Sequence, residues 1–245
     1  LFDAQLIKHR AFGTATITTK DGTKIDIATS RQEYYPAPAA LPCVTGGSIR
    51  DDLFRRDFTI NALACHIDSE RFGELVDFFD GVSDLRKKRI RFLHEKSFID
   101  DPIRIIRAVR FEQRLGFHID AKTARFIRLA KEEKMLERVQ KHRMRDELIL
   151  VFKEKEPYKI VRRLDTLYNL TFINSGLAIR GDLKIKFDAI HTMPRRFQQI
   201  VVNKRGLELW LMYLSLFVSV LGGRQLHNFL RAYAFRRMEA IRILS

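Results

Sequence analysis

Cysteine is scarce in this sequence: Cys43 and Cys65 are the only two in 245 residues. Neither stands in a metal-ligand spacing and the seven histidines do not cluster, so two free thiols are expected and a structural zinc site is not. Long apolar runs are missing as well. The longest, Leu209 to Leu221, is about 13 residues against the ~20 that a membrane span requires, so it reads as a buried core helix. No secretory leader is visible, and a cytoplasmic location with no membrane partner is expected. The chain starts at Leu1 rather than at a methionine and reads as a fragment. There is no fixed-period repeat and no low-complexity tract.

Positive charge is what the sequence has in excess. Lysine and arginine total 45 against 30 acidic residues, a formal net charge of +15, while 46% of residues are hydrophobic. The balance points to a polyanionic partner, nucleic acid before an anionic membrane. The basic residues are interspersed with apolar ones, which predicts folded helices with a charged face rather than a basic tail.

The first part reads as β structure. Residues 12–19 are rich in β-branched side chains, Asp21-Gly22 favours a tight turn, and 23–29 returns as a strand with Ile25 and Ile27 on one face and Asp26 on the other. Pro36, Pro38 and Pro42 mark an irregular connection. Ser48 with Asp51 three residues on is a capping signature that starts a short helix, and 60–67 and 74–79 read as a second strand pair. From Pro102 the pattern is helical, with candidates at 102–115, 121–131, 141–153, 157–168, 207–221 and 224–243. A small α+β part is therefore followed by an all-α part, with a boundary near residue 98.

Arg55-Arg-Asp-Phe-Thr-Ile-Asn-Ala62 carries the most specific chemistry. Arg55 and Arg56 can grip triphosphate oxygens, Asp57 can accept from ribose hydroxyls, and Asn61 can donate and accept. The alternative is a surface salt bridge beside a buried asparagine turn. After Pro102, Arg104, Arg107, Arg110 and Arg114 fall within about a 120° arc of one helix, apart from Ile105, Ile106 and Val109. That face suits phosphate or base contact; the alternative is a solvated basic face.

The string 55–62 resembles motif B of the class II tRNA nucleotidyltransferases and the related bacterial poly(A) polymerases. Lys24-Ile-Asp-Ile-Ala-Thr-Ser-Arg31 is similar to the strand that ends their catalytic sheet, and Val76-Asp-Phe-Phe-Asp-Gly-Val-Ser-Asp-Leu85 to their flexible motif C. Asp100-Asp-Pro-Ile-Arg104 resembles motif D, with Asp100 where glutamate is usual, and Arg143-Met-Arg-Asp-Glu-Leu148 resembles motif E, a stabilising helical segment. The resemblance covers roughly 9–175. It implies part of a nucleotidyltransferase head with a mixed, polymerase β-like sheet (1–98), a helical neck for base recognition (99–155), and a helical body and tail for tRNA (156–245).

The implied activity is template-independent nucleotidyl transfer from CTP or ATP to the 3′ end of tRNA, adding CCA or its terminal A and releasing pyrophosphate. Two Mg²⁺ ions are implied. Asp101 and Arg104 occupy the positions that present hydrogen-bond groups to the incoming base, although an aspartate before proline also suits a helix cap. Arg107 and Arg110 extend the nucleotide-binding set. Asp26 stands where a third acidic residue is expected, or is simply an exposed aspartate on a hairpin. The family's Gly-Gly turn followed by Asp-x-Asp is not found; Gly46-Gly47 imitates its start but abuts motif B, so this chain alone is expected not to transfer nucleotides. Arg195, Arg196, Arg224, Arg231, Arg236 and Arg237 are candidate contacts to the tRNA acceptor arm. Competing readings are a poly(A) polymerase, a non-catalytic RNA-binding protein on the same scaffold and, on charge alone, a helical DNA-binding factor. Oligomeric state is not legible.

Overall fold

The computed structural model describes residues 4–9, 13–200 and 208–244, with side chains described outside 194–200. Strands β1 (Ala4–His9), β2 (Thr14–Thr19) and β3 (Lys24–Ala28) form an antiparallel sheet in that order. Register puts Leu6, Ile17 and Ile25 side by side on one face and Ile7, Thr16 and Asp26 on the other. None of the residues of this sheet is buried. The connection that follows is itself a strand pair, β4 (Arg31–Tyr34) with β5 (Cys43–Gly46), and the prolines occupy the loop between or adjoin it.

Helix α1 (Ile49–Phe54) starts as its sequence requires. Ser48 Oγ accepts from the Asp51 amide at 3.2 Å and Asp51 accepts from the Ser48 amide at 2.9 Å, a complete capping box. The expected strands over 60–67 and 74–79 shrink to β6 (Ala64–Cys65) paired with β7 (Leu75–Val76). Two side chains explain the loss. Asp57 Oδ1 accepts from the Phe58 amide (2.8 Å) and from Asn61 Nδ2 (3.0 Å), curling Thr59–Asn61 into a 3₁₀ turn. Asp77 accepts from the amides of Phe79, Gly81 and Val82, which starts α2 (Gly81–Arg86) where the strand would have continued.

Beyond β8 (Arg89–Ile90) the chain is helical: α3 (Ser97–Asp100) and α4 (Ile103–Leu115), then β9 (His118–Ile119), α5 (Ala121–Glu132), α6 (Lys141–Phe152), α7 (Pro157–Leu167), α8 (Leu183–Ile200), α9 (Leu209–Val218), α10 (Gly223–Ala232) and α11 (Arg237–Leu244). The sequence reading has no helix at α8, whose span includes Pro194. It has one helix where α10 and α11 stand. The break follows from Ala234 in a left-handed conformation (φ 52°), while buried Tyr233 donates its hydroxyl to the Ile173 carbonyl at 2.8 Å.

Helix α4 organises the middle of the molecule, packing against α3, α6 and α7 and against β8 and β9. Ile105, Ile106, Ala108 and Val109 are fully buried, and they join one core cluster running from Phe58 and Ile90 through Phe152 and Tyr168 to Phe217 and Tyr233. Strands β8 and β9 pair in parallel across the boundary expected near residue 98, so the β-rich and helical parts share backbone hydrogen bonds as well as core. Among the described residues no helix is long and apolar enough to cross a membrane.

Candidate functional site

The end of α1, the turn at 57–61 and the start of α4 meet around a cavity of about 620 Å³, within the size range of small-molecule sites. Asp52, buried on α1, accepts from Arg55 Nε (3.1 Å) and Nη2 (2.8 Å), from Arg56 Nη2 (3.4 Å) and from the Arg31 amide (3.4 Å). Burial would raise its carboxyl, but these donors, Arg55 first, hold it below the ordinary carboxylate range. Glu33 on β4 accepts from Arg31 (3.0 Å), Arg55 (3.1 Å) and the Tyr35 hydroxyl (3.0 Å). The two adjacent arginines of the turn are thus held in place from below.

Asp57 is the second hub. Besides its own turn, it accepts from Arg107 Nε (2.9 Å) and Nη2 (2.6 Å) on α4. Arg104 is buried and ties three segments: Nη1 donates to Ser97 Oγ (2.9 Å) on α3 and Nη2 to the Arg55 carbonyl (2.6 Å). Asp101 Oδ1 accepts from Arg143 Nη2 of α6 at 2.9 Å. The cavity wall then carries Arg55, Arg56, Arg104, Arg107 and Arg143 against Glu33, Asp57 and Asp101, with Tyr35, Pro42 and Phe111 as its apolar part and Asn61 beside them. Such a surface favours a ligand with several negative charges and one flat ring.

A family model described as the poly A polymerase head domain matches residues 1–91, and a second, described as a probable RNA and SrmB-binding site of polymerase A, matches residues 116–177. The A-adding tRNA nucleotidyltransferase of Geobacter sulfurreducens is 40% identical over 213 residues, 87% of this chain and 24% of that protein. The apo form II structure of a CCA-adding enzyme superposes with a TM-score of 0.84 at 36% identity, covering 99% of this chain and 56% of the other. The Thermotoga maritima CCA-adding enzyme complexed with tRNA superposes with a TM-score of 0.76 at 33% identity, covering 99% and 55%. This chain belongs to the class II tRNA nucleotidyltransferase and poly(A) polymerase family. It spans about a quarter of the Geobacter relative and a little over half of the two structural neighbours.

Of the residues singled out in the sequence, Arg55, Arg56, Asp57, Asn61, Asp101, Arg104 and Arg107 line this cavity. Arg110 does not. Its guanidinium is buried on Glu147 (2.8 Å) and Glu154 (3.1 Å), where it ties α4 to α6. Asp101 is not a side-chain cap of α4, whose cap position is Pro102 with no side-chain hydrogen bond; its carboxylate is engaged by Arg143 instead. Arg224, Arg231, Arg236 and Arg237 are exposed on or beside α10 and α11, while the side chains of Arg195 and Arg196 lie outside the described residues. Glu33, Tyr35 and Phe111 were not legible as site residues. Arg143 carried a signal, since it stands in the segment resembling motif E, but it reads there as structural.

Asp26 lies on β3 with Thr16 Oγ1 donating to it at 2.7 Å, away from the cavity lining. One exposed carboxylate beside a threonine is not a donor set for the two Mg²⁺ ions that the family implies, and among the described residues no cluster of three metal-ligating side chains is present. The described residues do not fit that pair of ions.

In a nucleotidyltransferase the segment resembling motif C is expected to flex; here it is wedged. A Cβ on Gly81 would meet the Thr59 carbonyl at 2.4 Å, and Thr59 Oγ1 donates to fully buried Asp84 at 2.6 Å. The other flank of α1 holds His94, its ring 5.1 Å from that of Phe54. Burial, with Arg104 and Lys96 nearby, lowers the His94 pKa to about 4. The folded protein therefore refuses a proton that the unfolded chain accepts near pH 6.5. Stability is expected to fall as pH drops from ~6.5 towards 4, and a His94→Asn variant should lose that slope in urea midpoints measured at successive pH values.

Proposed function

We propose that this chain is the nucleotide-selecting and RNA-binding part of an enzyme that transfers nucleotidyl groups from ATP or CTP to the 3′ end of tRNA. The observation that carries the reading is the meeting of 55–61 with 101–107 around one arginine-lined cavity. In the reaction the tRNA 3′-hydroxyl attacks the α-phosphate and pyrophosphate leaves. Arg55 and Arg56, fixed by Asp52 and Glu33, neutralise triphosphate charge without having to be ordered when the nucleotide arrives. Asp57, clamped by Arg107 and Asn61, fixes the floor on which ribose would rest. The base would lie between Tyr35, Phe111 and the polar groups at 101–104. A purely RNA-binding role would leave this cavity without a use.

Terminal A addition is the favoured specificity, because the relative matching 87% of this chain is an A-adding enzyme. The test offers the whole protein labelled ATP or labelled CTP with tRNA ending in CC and with tRNA lacking CCA. Incorporation of A onto the CC-ended substrate alone is expected. C incorporation would make it CCA-adding, long A tracts would make it a poly(A) polymerase, and no incorporation would contradict the proposal. Binding of tRNA should be strongly salt-dependent, since exposed arginines such as Arg224, Arg231, Arg236 and Arg237 meet phosphates. A rise from 50 to 200 mM salt is expected to weaken it by about a thousandfold if some six phosphates are contacted; filter binding across salt would show it, and a flat response would contradict it.

A further inference from the structure

We propose that a second pocket, formed by α7, α8 and α9, takes up one unpaired nucleotide of the bound RNA. This rests on the reading of the chain as an RNA-binding part. The pocket has a volume of about 360 Å³ and shares no lining residue with the arginine-lined cavity. That is room for a single small ring compound. Lys184, Phe187, Asp188 and His191 recur at helical spacing, so one face of α8 makes one wall. Buried Phe187 touches the ring of Tyr158 on α7 (centroids 6.3 Å apart) and that of Tyr213 on α9 (4.9 Å).

Tyr213 is the deciding residue. It is 4% exposed and lines the pocket, yet among the described residues its hydroxyl makes no hydrogen bond. A buried phenol ordinarily finds a partner. The other two buried tyrosines do: Tyr168 accepts from the Leu136 amide (3.1 Å) and donates to Glu137 (3.0 Å), and Tyr233 donates to the Ile173 carbonyl (2.8 Å). Burial, and then the charge of Asp188 on the pocket wall, push the Tyr213 pKa above the ordinary phenol value. At neutral pH the hydroxyl therefore keeps its proton and can donate it to a ligand.

The charges at the rim set the rest of the ligand. Lys159 is paired with Glu156 (2.7 Å) and Lys184 with Asp188 (2.7 Å), while Lys155 has no carboxylate partner among the described residues. Lys155 stands beside the first turn of α7, where Pro157 opens the helix and no side chain caps the amides. A lone cation at an uncapped helix N-terminus suits one phosphodiester and is too little for a triphosphate. The aromatic wall suits one base, stacked on Tyr158 and hydrogen-bonded by Tyr213. A base held in a duplex is stacked on its neighbours and cannot enter, so the nucleotide is an unpaired one.

The test is filter binding of tRNA ending in CC, and of a blunt RNA duplex, to this chain and to Tyr213→Phe, Tyr158→Leu and Lys155→Gln variants, with thermal melting of each and AMP as a free-nucleotide probe. Tyr213→Phe removes a hydroxyl that bonds nothing in the free protein, so its melting temperature should be unchanged. Its affinity for tRNA should fall about fivefold, the worth of one neutral hydrogen bond. Tyr158→Leu should weaken tRNA binding by about tenfold or more, the loss of one stacked base. Lys155→Gln should reduce the salt slope by about one. Duplex binding should be the same in both tyrosine variants as in the unaltered chain. Undiminished tRNA affinity in both folded tyrosine variants, or equal losses on the duplex, would overturn the pocket and leave tRNA binding standing. Micromolar binding of AMP, lost in Tyr213→Phe while tRNA affinity stays unchanged, would overturn it in favour of a free nucleotide. Absence of tRNA binding by the unaltered chain would overturn the RNA-binding reading and this inference together.

Discussion

An Asp84→Ala variant is expected to be destabilised by roughly 3–5 kcal/mol, the usual consequence of removing one partner from a buried ionic cluster. Asp84 is fully buried and accepts from Thr59 Oγ1 (2.6 Å), Arg89 Nε (2.6 Å) and Arg91 Nε (2.7 Å), while Arg91 also donates to the Phe79 carbonyl (2.7 Å). One carboxylate thereby ties the turn that carries Asn61 to α2 and to β8. Without it, two half-buried guanidinium groups face each other with nothing between them. Burial alone would raise the Asp84 pKa, but hydrogen bonds from Thr59, Arg91 and Arg89 hold it below the ordinary carboxylate range. The folded value lies under the unfolded value of ~3.9, so the contribution is present above about pH 4 and is lost as pH falls through that region. Urea denaturation at pH 7 should show the loss as a lowered midpoint, and the difference between Asp84→Ala and the unaltered protein should narrow in acid. A midpoint unchanged at pH 7 would mean that the segment at 77–86 is not the brace described here.

Asp57→Asn is expected to act on binding more than on folding. The substitution keeps shape and can preserve the contact with the Phe58 amide, but it removes the charge that draws both Arg107 Nε and Nη2 onto one oxygen. Coulombic attraction to Asp57 is also what raises the Arg107 pKa in spite of the burial that opposes it. With the clamp lost, α4 is no longer registered against the turn at 57–61, and the two halves of the cavity drift. Affinity for ATP should fall on the order of a hundredfold, equivalent to losing one charge-assisted contact and its geometry. Calorimetric titration with ATP measures it. A change of twofold or less would show that the joining of the two segments does not matter for the ligand.

Much of this site is legible in the sequence, and the reason is local. Arg55, Arg56, Asp57 and Asn61 fall in one short string whose turn is made by its own side chains, and Arg104 and Arg107 share one face of a helix by periodicity alone. Arg110 lies on nearly the same face, yet the structure gives it to Glu147 and Glu154, because α6 packs over that end of α4. Only tertiary packing separates Arg107 from Arg110, and no helical wheel contains it. Glu33 and Tyr35 were hidden for a related reason. Glu33 precedes and Tyr35 begins a proline-bearing connection that reads as irregular, and the wall they form follows from the pairing of β4, which carries Glu33 and ends just before Tyr35, with β5 across that loop. Side-chain capping undid the second strand pair, as Asp57 and Asp77 took backbone amides that a sheet would have used. Asp26 was placed correctly on its strand with its face opposite Ile25, but strand register says nothing about what it serves.

Occupation of the space between the end of α1 and the start of α4 by a nucleoside triphosphate is the central claim about this molecule. Photolabelling of this chain with an azido analogue of ATP, followed by mass spectrometric mapping, asks that directly. Label is predicted on peptides containing Tyr35, residues 55–61 or residues 101–111, and it should be competed away by unlabelled ATP. Competable label confined to the helices beyond residue 156, with none on those peptides, would contradict the account.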